Sequence, residues 1–278
     1  MNTYLAGVTA LALIVFAATA QAQSDAGSES TGLFNKKHML SVGMTRQSTN
    51  SSVSATSEGF DPVVIDLNGL DIGERDYSYF VDYRYRLKPK WSIFAGTFQF
   101  LGSGKKFTER DLNYDGVEFT TGSDLRSELN IDIYILDVLY TVHRSENVEV
   151  MLGGGVHAFD LGVGFSGSVR INDQSSEVRR ASSTLLAPVP NLRAAATWSL
   201  TDSFGFSLVA GWLSADVDEY SGDFSYGHLR AHYQISDRFG ASLGYQITDI
   251  DITQARSRGE LSFNTELDGP SLTATYSF

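Results

Sequence analysis

Cysteine is absent from the 278 residues. That excludes a disulfide scaffold, a thiolate metal site, a cysteine nucleophile and a lipid-modified N-terminal cysteine. Proline is scarce at 5 residues, and basic residues are in the minority, 21 Lys and Arg against 33 Asp and Glu. The resulting net charge of −12 argues against a nucleic-acid footprint, so no nucleic-acid partner is expected. Past the first twenty residues no run approaches the roughly 18 apolar residues of a membrane helix. Extended helical spacing is missing too.

What is present begins with LAGVTALALIVFAATA, Leu5 to Ala20, a small apolar stretch without a charge. It runs into Ala18-Thr19-Ala20 and Ala20-Gln21-Ala22, two small-x-small patterns. The spacing predicts a secretory signal peptide over residues 1–22, although the leading Met-Asn-Thr-Tyr carries no Lys or Arg. A polar lead-in over 23–35 follows, and a β-barrel domain is expected over 36–278.

That domain alternates with period two. In DYSYFVDYRYRL, Tyr77, Tyr79, Val81, Tyr83, Tyr85 and Leu87 share one face, and Asp76, Ser78, Phe80, Asp82, Arg84 and Arg86 share the other. A strand sends successive side chains to opposite faces, so one surface is apolar and the other largely charged. The pattern recurs at Gly227–Ile235, Ala241–Ile247 and Leu192–Trp198. Short turns follow Leu87, Val142, Leu200 and Ile235, and longer connections lie near 48–74, 102–126 and 164–183, with briefer ones near 218–223 and 255–259. Ten strands are predicted, near 38–47, 76–87, 91–101, 128–142, 148–161, 186–200, 205–216, 225–235, 240–253 and 262–278. An even number brings both ends of the barrel to the short-turn side.

The apolar face could line a soluble β-barrel or meet lipid outside a membrane barrel. Lipid is favoured by three features. Charges are expected to be absent from outward positions on nine of the ten strands. Aromatic residues gather at strand ends, Tyr85, Trp91, Tyr140, Trp198, Tyr233, Phe239 and Tyr276 by the short turns, Tyr77, Phe100 and Trp212 by the long ones, as interfacial girdles do. Connections alternate short and long. The fourth strand breaks the rule, because Leu129-Ile131-Ile133-Ile135 and Leu136-Val138-Tyr140-Val142 are out of phase. A β-bulge near Ile135 that keeps Asp137 inward is the expected remedy.

The terminus Leu272-x-Ala274-x-Tyr276-x-Phe278 resembles the C-terminal assembly signal of Gram-negative outer-membrane β-barrel proteins. That resemblance implies an all-β, transmembrane, antiparallel up-and-down barrel in the outer membrane. It also implies long loops outside, both termini in the periplasm, handling by the barrel-assembly machinery, and outer-membrane lipid and lipopolysaccharide as neighbours. No characterised subfamily is matched.

Omptin proteases are ten-stranded barrels with an Asp-x-His couple, and none of His38, His143, His157, His228 or His232 has Asp two residues earlier. Lipid A deacylase-like barrels use a His-x-Ser pair at the outer leaflet, and the match, His143-Arg144-Ser145, falls in a short turn. His228 and His232 are about 13 Å apart on a strand, too far to share an ion. No enzyme and no cofactor are expected. Asp111, Asn113 and Asp115 start a calcium-loop pattern, but Gly122 stands where its twelfth-position Glu belongs, and Asp115-Gly116 reads equally as a hairpin turn. The acidic stretch Glu58, Asp61, Asp66, Asp71, Glu74 reads as a solvated surface, or as one that meets lipopolysaccharide through bridging cations. The remaining expectation is a mostly filled lumen holding a polar network of Asp82, Arg84, Arg86, Glu149, His157, Arg193, His228, Arg230 and His232. Its alternatives are a narrow, anion-preferring channel and a rim hydrolase acting on lipid or peptide.

Overall fold

A computed structural model describes residues 36–57, 63–66, 76–107, 112–114, 117–119, 124–168, 178–217, 219–256 and 259–278. The expected signal peptide and lead-in lie outside these residues, as do Glu58, Asp61, Asp71 and Glu74. The strands are β1 (His38–Ser57), β2 (Val63–Asp66), β3 (Asp76–Lys88), β4 (Trp91–Phe107), β5 (Leu112–Tyr114), β6 (Val117–Phe119), β7 (Asp124–Arg144), β8 (Val148–Ser168), β9 (Val178–Ser199), β10 (Phe204–Val217), β11 (Tyr220–Gln234), β12 (Phe239–Arg256) and β13 (Gly259–Ser277). Among the described residues ten of them form one antiparallel meander, β1, β3, β4 and β7 to β13, closed by pairing of β13 with β1. β2 pairs with the upper part of β1, and β5 and β6 form a separate hairpin. His38 and Phe278 exchange backbone hydrogen bonds of 3.0 Å, so both ends of the barrel meet at the short-turn end.

The strands outrun a bilayer. A membrane strand needs about 9–11 residues, whereas β7, β8 and β9 have 21, 21 and 22. Much of the sequence expected as long loop, 48–57, 102–107, 164–168 and 178–183, continues the strands instead.

Along each strand the two faces exchange character. On β12 the outward residues are Phe239, Ala241, Leu243, Tyr245 and Ile247, then Asp249 and Asp251. The inward ones are Ser242, Gln246 and Thr248, then Ile250 and Ile252. On β13 the outward face passes from Tyr276, Ala274 and Leu272 to Asp268, Glu266 and Asn264, while the inward face passes from Ser277, Thr273 and Ser271 to Leu267, Phe263 and Leu261. Near the short turns the barrel is therefore apolar outside and polar inside, as hydrocarbon requires. Beyond that belt it is polar outside and apolar inside, as water requires. The inner apolar zone holds Phe100, Leu129, Ile131, Phe159, Phe165, Ile250 and Leu267, none more than 2% exposed.

Three expectations are corrected by this inversion. Phe100, expected in the outer aromatic girdle by the long loops, instead points into the apolar interior at 0% exposure. There is no bulge near Ile135: β7 pairs with β4 in continuous register from Asp124 to Tyr140, and the shift falls between Thr141 and His143. Leu129, Ile131 and Ile133 point inward, and Asp137 is inward in the same phase. Outward positions above the belt also carry charge, including Arg46, Asp132, Asp160, Asp249, Asp251, Glu266 and Asp268. The belt alone is free of it.

Two substitutions on one face of β12 test the boundary. Leu243→Lys, mid-belt and 67% exposed, should cost about 2–4 kcal/mol of folding stability in lipid. Asp251→Lys, above the belt, should cost less than about 0.5 kcal/mol. Denaturant unfolding in liposomes measures both.

Candidate functional site

The feature that calls for explanation is the polar interior at the level of the belt, where charged side chains of both signs share one lumen. Inward parity places Asp82, Arg84 and Arg86 there from β3, Glu149 and His157 from β8, Arg193 from β9, and His228, Arg230 and His232 from β11. Asp137 from β7 joins them, buried to 0% exposure.

Nearest the short turns, Arg86 grips Glu149 with two hydrogen bonds of 2.9 Å, Nη1 to Oε1 and Nη2 to Oε2. Thr141 Oγ1 donates to Oε1 of Glu149 at 2.9 Å, and Arg144 adds a second ion pair to that carboxylate. The Arg86–Glu149 pair skips over β4 and β7. Arg84 donates to the Lys36 carbonyl at 3.3 Å. On the opposite wall, His232 Nε2 hydrogen-bonds Ser207 Oγ at 2.6 Å. Beside it a cavity of about 20 Å³, lined by Met39, Gln234, Gly240, Thr275 and Ser277 among others, has the room of a single water.

Deeper in, Arg230 of β11 reaches past three staves, β12, β13 and β1, to β3. Its Nη1 lies 3.7 Å from Asp82 Oδ2, and its guanidinium lies 4.9 Å from the Phe80 ring centroid. Its Nη2 donates to His228 Nδ1 at 3.3 Å. One layer further, Arg193 donates to Asp137 Oδ2 at 2.9 Å while stacked 4.7 Å over Phe94. His157 sets Nε2 3.3 Å from Asp137 Oδ1, and Asn191 Nδ2 lies 3.3 Å from the same nitrogen. The His157 ring meets Phe224 at 5.6 Å and Tyr226 at 5.8 Å, where the apolar zone begins.

Inward glycines make this density possible. A Cβ at Gly43 would collide with the Phe80 ring, one at Gly211 with Tyr226, and one at Gly155 with Asp137 and the Leu136 carbonyl. Bulky side chains therefore lie down across the neighbouring strand instead of standing in the lumen.

Sequence reasoning named nine interior residues, with Asp82 and Glu149 as the carboxylates among them. It missed Asp137 as the partner of Arg193 and His157, along with Arg144, Thr141, Asn191 and Ser207. The parity of ILDVLY, a single acid in an apolar run, was the available signal for Asp137. Asp137 is a third interior carboxylate beside Asp82 and Glu149, and Arg84, Arg86, Arg193 and Arg230, with Arg144 at the rim, still outnumber them.

At the seam, Leu272, Ala274 and Tyr276 of β13, and Phe278 just after it, face outward within the belt. Phe278 stacks on His38 at 4.9 Å and 3°, and Tyr276 packs against Phe239 at 4.9 Å. Of the calcium candidates, Asn113 sits in β5 opposite Glu118, and Asp111 and Asp115 lie outside the described residues. Asp66 ends β2.

No family model matches the chain, and no curated protein matches its sequence. Solved structures do. The outer membrane protease OmpT from Escherichia coli superposes with a TM-score of 0.55 at 10% identity, over 90% of this chain and 100% of that one. The fold is that of the bacterial outer-membrane β-barrels. OprG from Pseudomonas aeruginosa matches at 8% identity over 90% and 99% of the two chains, TM-score 0.39, and Ail of Yersinia pestis at 11% over 87% and 99%, TM-score 0.32. The five histidines lie in the lumen or at the short-turn end, and the long-loop rim holds none.

The Asp137–Arg193 pair gives a direct test of interior packing. Arg193→Ala leaves a buried carboxylate without its cation and should destabilise the barrel by about 3–5 kcal/mol. Pairing Asp137→Asn with Arg193→Met should recover much of that loss. A double-mutant cycle by urea unfolding reads the coupling.

Proposed function

We propose that this chain is an integral outer-membrane barrel with a structural or surface-interaction role, its interior closed to bulk solute flow. The observation that carries the reading is the set of charged contacts reaching across the lumen, Arg86 to Glu149 and Arg230 to Asp82, stacked beneath an apolar zone. Eight-stranded barrels are filled by side chains and open channels appear near sixteen strands, so ten strands lie near the filled end. The charge-free outward belt suits surrounding lipid, with lipopolysaccharide against the polar collar above it. The long-loop end faces outside and both termini face the periplasm, where the barrel-assembly machinery would engage the terminal strand. The role is read as non-enzymatic.

A second reading, a narrow anion-preferring passage, draws on the excess of guanidinium over carboxylate in the interior. Positive charge lining a constriction repels cations.

Planar-bilayer recording separates these. The protein should show little or no conductance, and Arg84→Ala with Arg230→Ala should raise it. A large cation-selective conductance would contradict both readings. Sidedness is measurable because the chain has no cysteine of its own. An impermeant maleimide on intact cells should label Ser221→Cys, by the long loops, and leave Asp237→Cys, in a short turn, unlabelled. The reverse pattern would overturn the orientation.

A further inference from the structure

The short-turn end is charged unevenly around its rim. Lys36 and Lys37 precede β1, Lys88 and Lys90 flank the turn from β3 to β4, and His143 and Arg144 end β7. These belong to β1, β3, β4 and β7, consecutive staves of the barrel. The exposed acid on this arc is Glu146; Glu149 is buried and already held by Arg86 and Arg144. The turns on the far side carry Asp202, Asp237 and Arg238 instead. Among the described residues, the ion pairs within 4.0 Å involve arginine or histidine, and none involves these four lysines.

Depth within the membrane selects the partner. The same staves carry Tyr83, Tyr85, Trp91 and Tyr140 facing outward, and aromatic rings of this kind settle at headgroup level. Trp91 and Tyr140 pack edge to face at 5.0 Å, and Lys90 sets its ammonium 5.8 Å from the Tyr140 centroid. Lys37, Lys88 and Lys90 are exposed and Lys36 is half-buried. The cations thus lie beside the barrel wall at the lipid surface, where each adds Coulombic attraction to an anionic leaflet. At the other end the outward collar is predominantly acidic, with Glu128, Asp160, Asp216, Asp223, Asp249, Asp251, Glu266 and Asp268 against Arg46, Lys105 and Arg126. A basic rim on a chain of net charge −12 is a placement that composition alone does not produce.

We infer that this arc, Lys36, Lys37, Lys88 and Lys90 with Arg144, is a binding surface for anionic phospholipid headgroups at the short-turn side of the membrane. The inference rests on the reading of the belt as lipid-facing, and it makes that leaflet the periplasmic one.

The test uses the whole protein folded in detergent, with equimolar phosphatidylglycerol and phosphatidylethanolamine added, and retained lipid read by native mass spectrometry. Phosphatidylglycerol should be retained over phosphatidylethanolamine by on the order of tenfold, falling as salt rises. Combined Lys36→Gln, Lys37→Gln, Lys88→Gln and Lys90→Gln should abolish the preference. Heat-dependent gel mobility reports whether that variant is folded; if it is not, Lys88→Gln with Lys90→Gln alone should reduce the preference several-fold. Equal retention of the two lipids, or a preference untouched in a folded variant, overturns the inference. So does lysine-dependent cosedimentation with peptidoglycan sacculi in the absence of lipid selection, which would make the partner a cell-wall polymer. Failure of the orientation reading appears separately: labelling of Asp237→Cys on intact cells reverses the leaflet and leaves the selectivity in detergent intact.

Discussion

A β-strand keeps its side-chain period and phase unless a bulge intervenes, and that constraint governs this barrel. A strand that leaves hydrocarbon for water cannot turn its apolar face around; it must exchange the composition of its two faces. The chain does this on strand after strand. Tyr134 and Asp132 are adjacent outward positions on β7, and their inward counterparts on either side run from Asp137 to Ile133. On β8 the outward Ala158 gives way to Asp160, while the inward His157 gives way to Phe159. A single continuous sheet thereby serves two solvents, and the level of exchange marks where the belt ends.

The exchange sets the chemistry of the interior. Inside the belt, polar groups must satisfy one another, because a buried charge without a partner is costly. Layers follow in order from the short turns: guanidinium and carboxylate at Arg86 and Glu149, then Arg230 with Asp82, then the Asp137, Arg193 and His157 group. The aromatic joint at Tyr226 and Phe224 comes next, and the aliphatic and aromatic zone lies above it. Glycines at 43, 155 and 211 leave room for Phe80, Asp137 and Tyr226 to lie across their neighbours. The interior is a core of two kinds, one ionic and one apolar, joined end to end.

Much of this was legible in the sequence. Alternation alone placed all nine named interior residues on the inner wall and placed Tyr83 and Leu243 outside. The even strand count put the ends of the barrel together. What misled was the fourth strand, where Leu129-Ile131-Ile133 and Leu136-Val138-Tyr140 occupy opposite phases. Read with one solvent in mind, that demands a bulge; read with two, it is the inversion itself. Strand lengths were underestimated for the same reason, since 48–54 and 164–166 are polar outside in the way loops are. The partner of Arg193 was out of reach because the Asp137 carboxylate comes from two staves away, a proximity set by barrel curvature rather than by spacing along the chain.

The most direct measurement of the inversion is accessibility along β12 in lipid bilayers, with one spin-labelled cysteine at a time from residue 239 to residue 254. The account predicts that outward labels at 241, 243, 245 and 247 are relaxed by oxygen, which partitions into hydrocarbon. Labels at 249, 251 and 253 should instead be relaxed by a water-soluble nickel chelate, and those at 250 and 252 by neither reagent. Oxygen-dominated relaxation continuing through 253, or ready access of the chelate to 250 and 252, would contradict it.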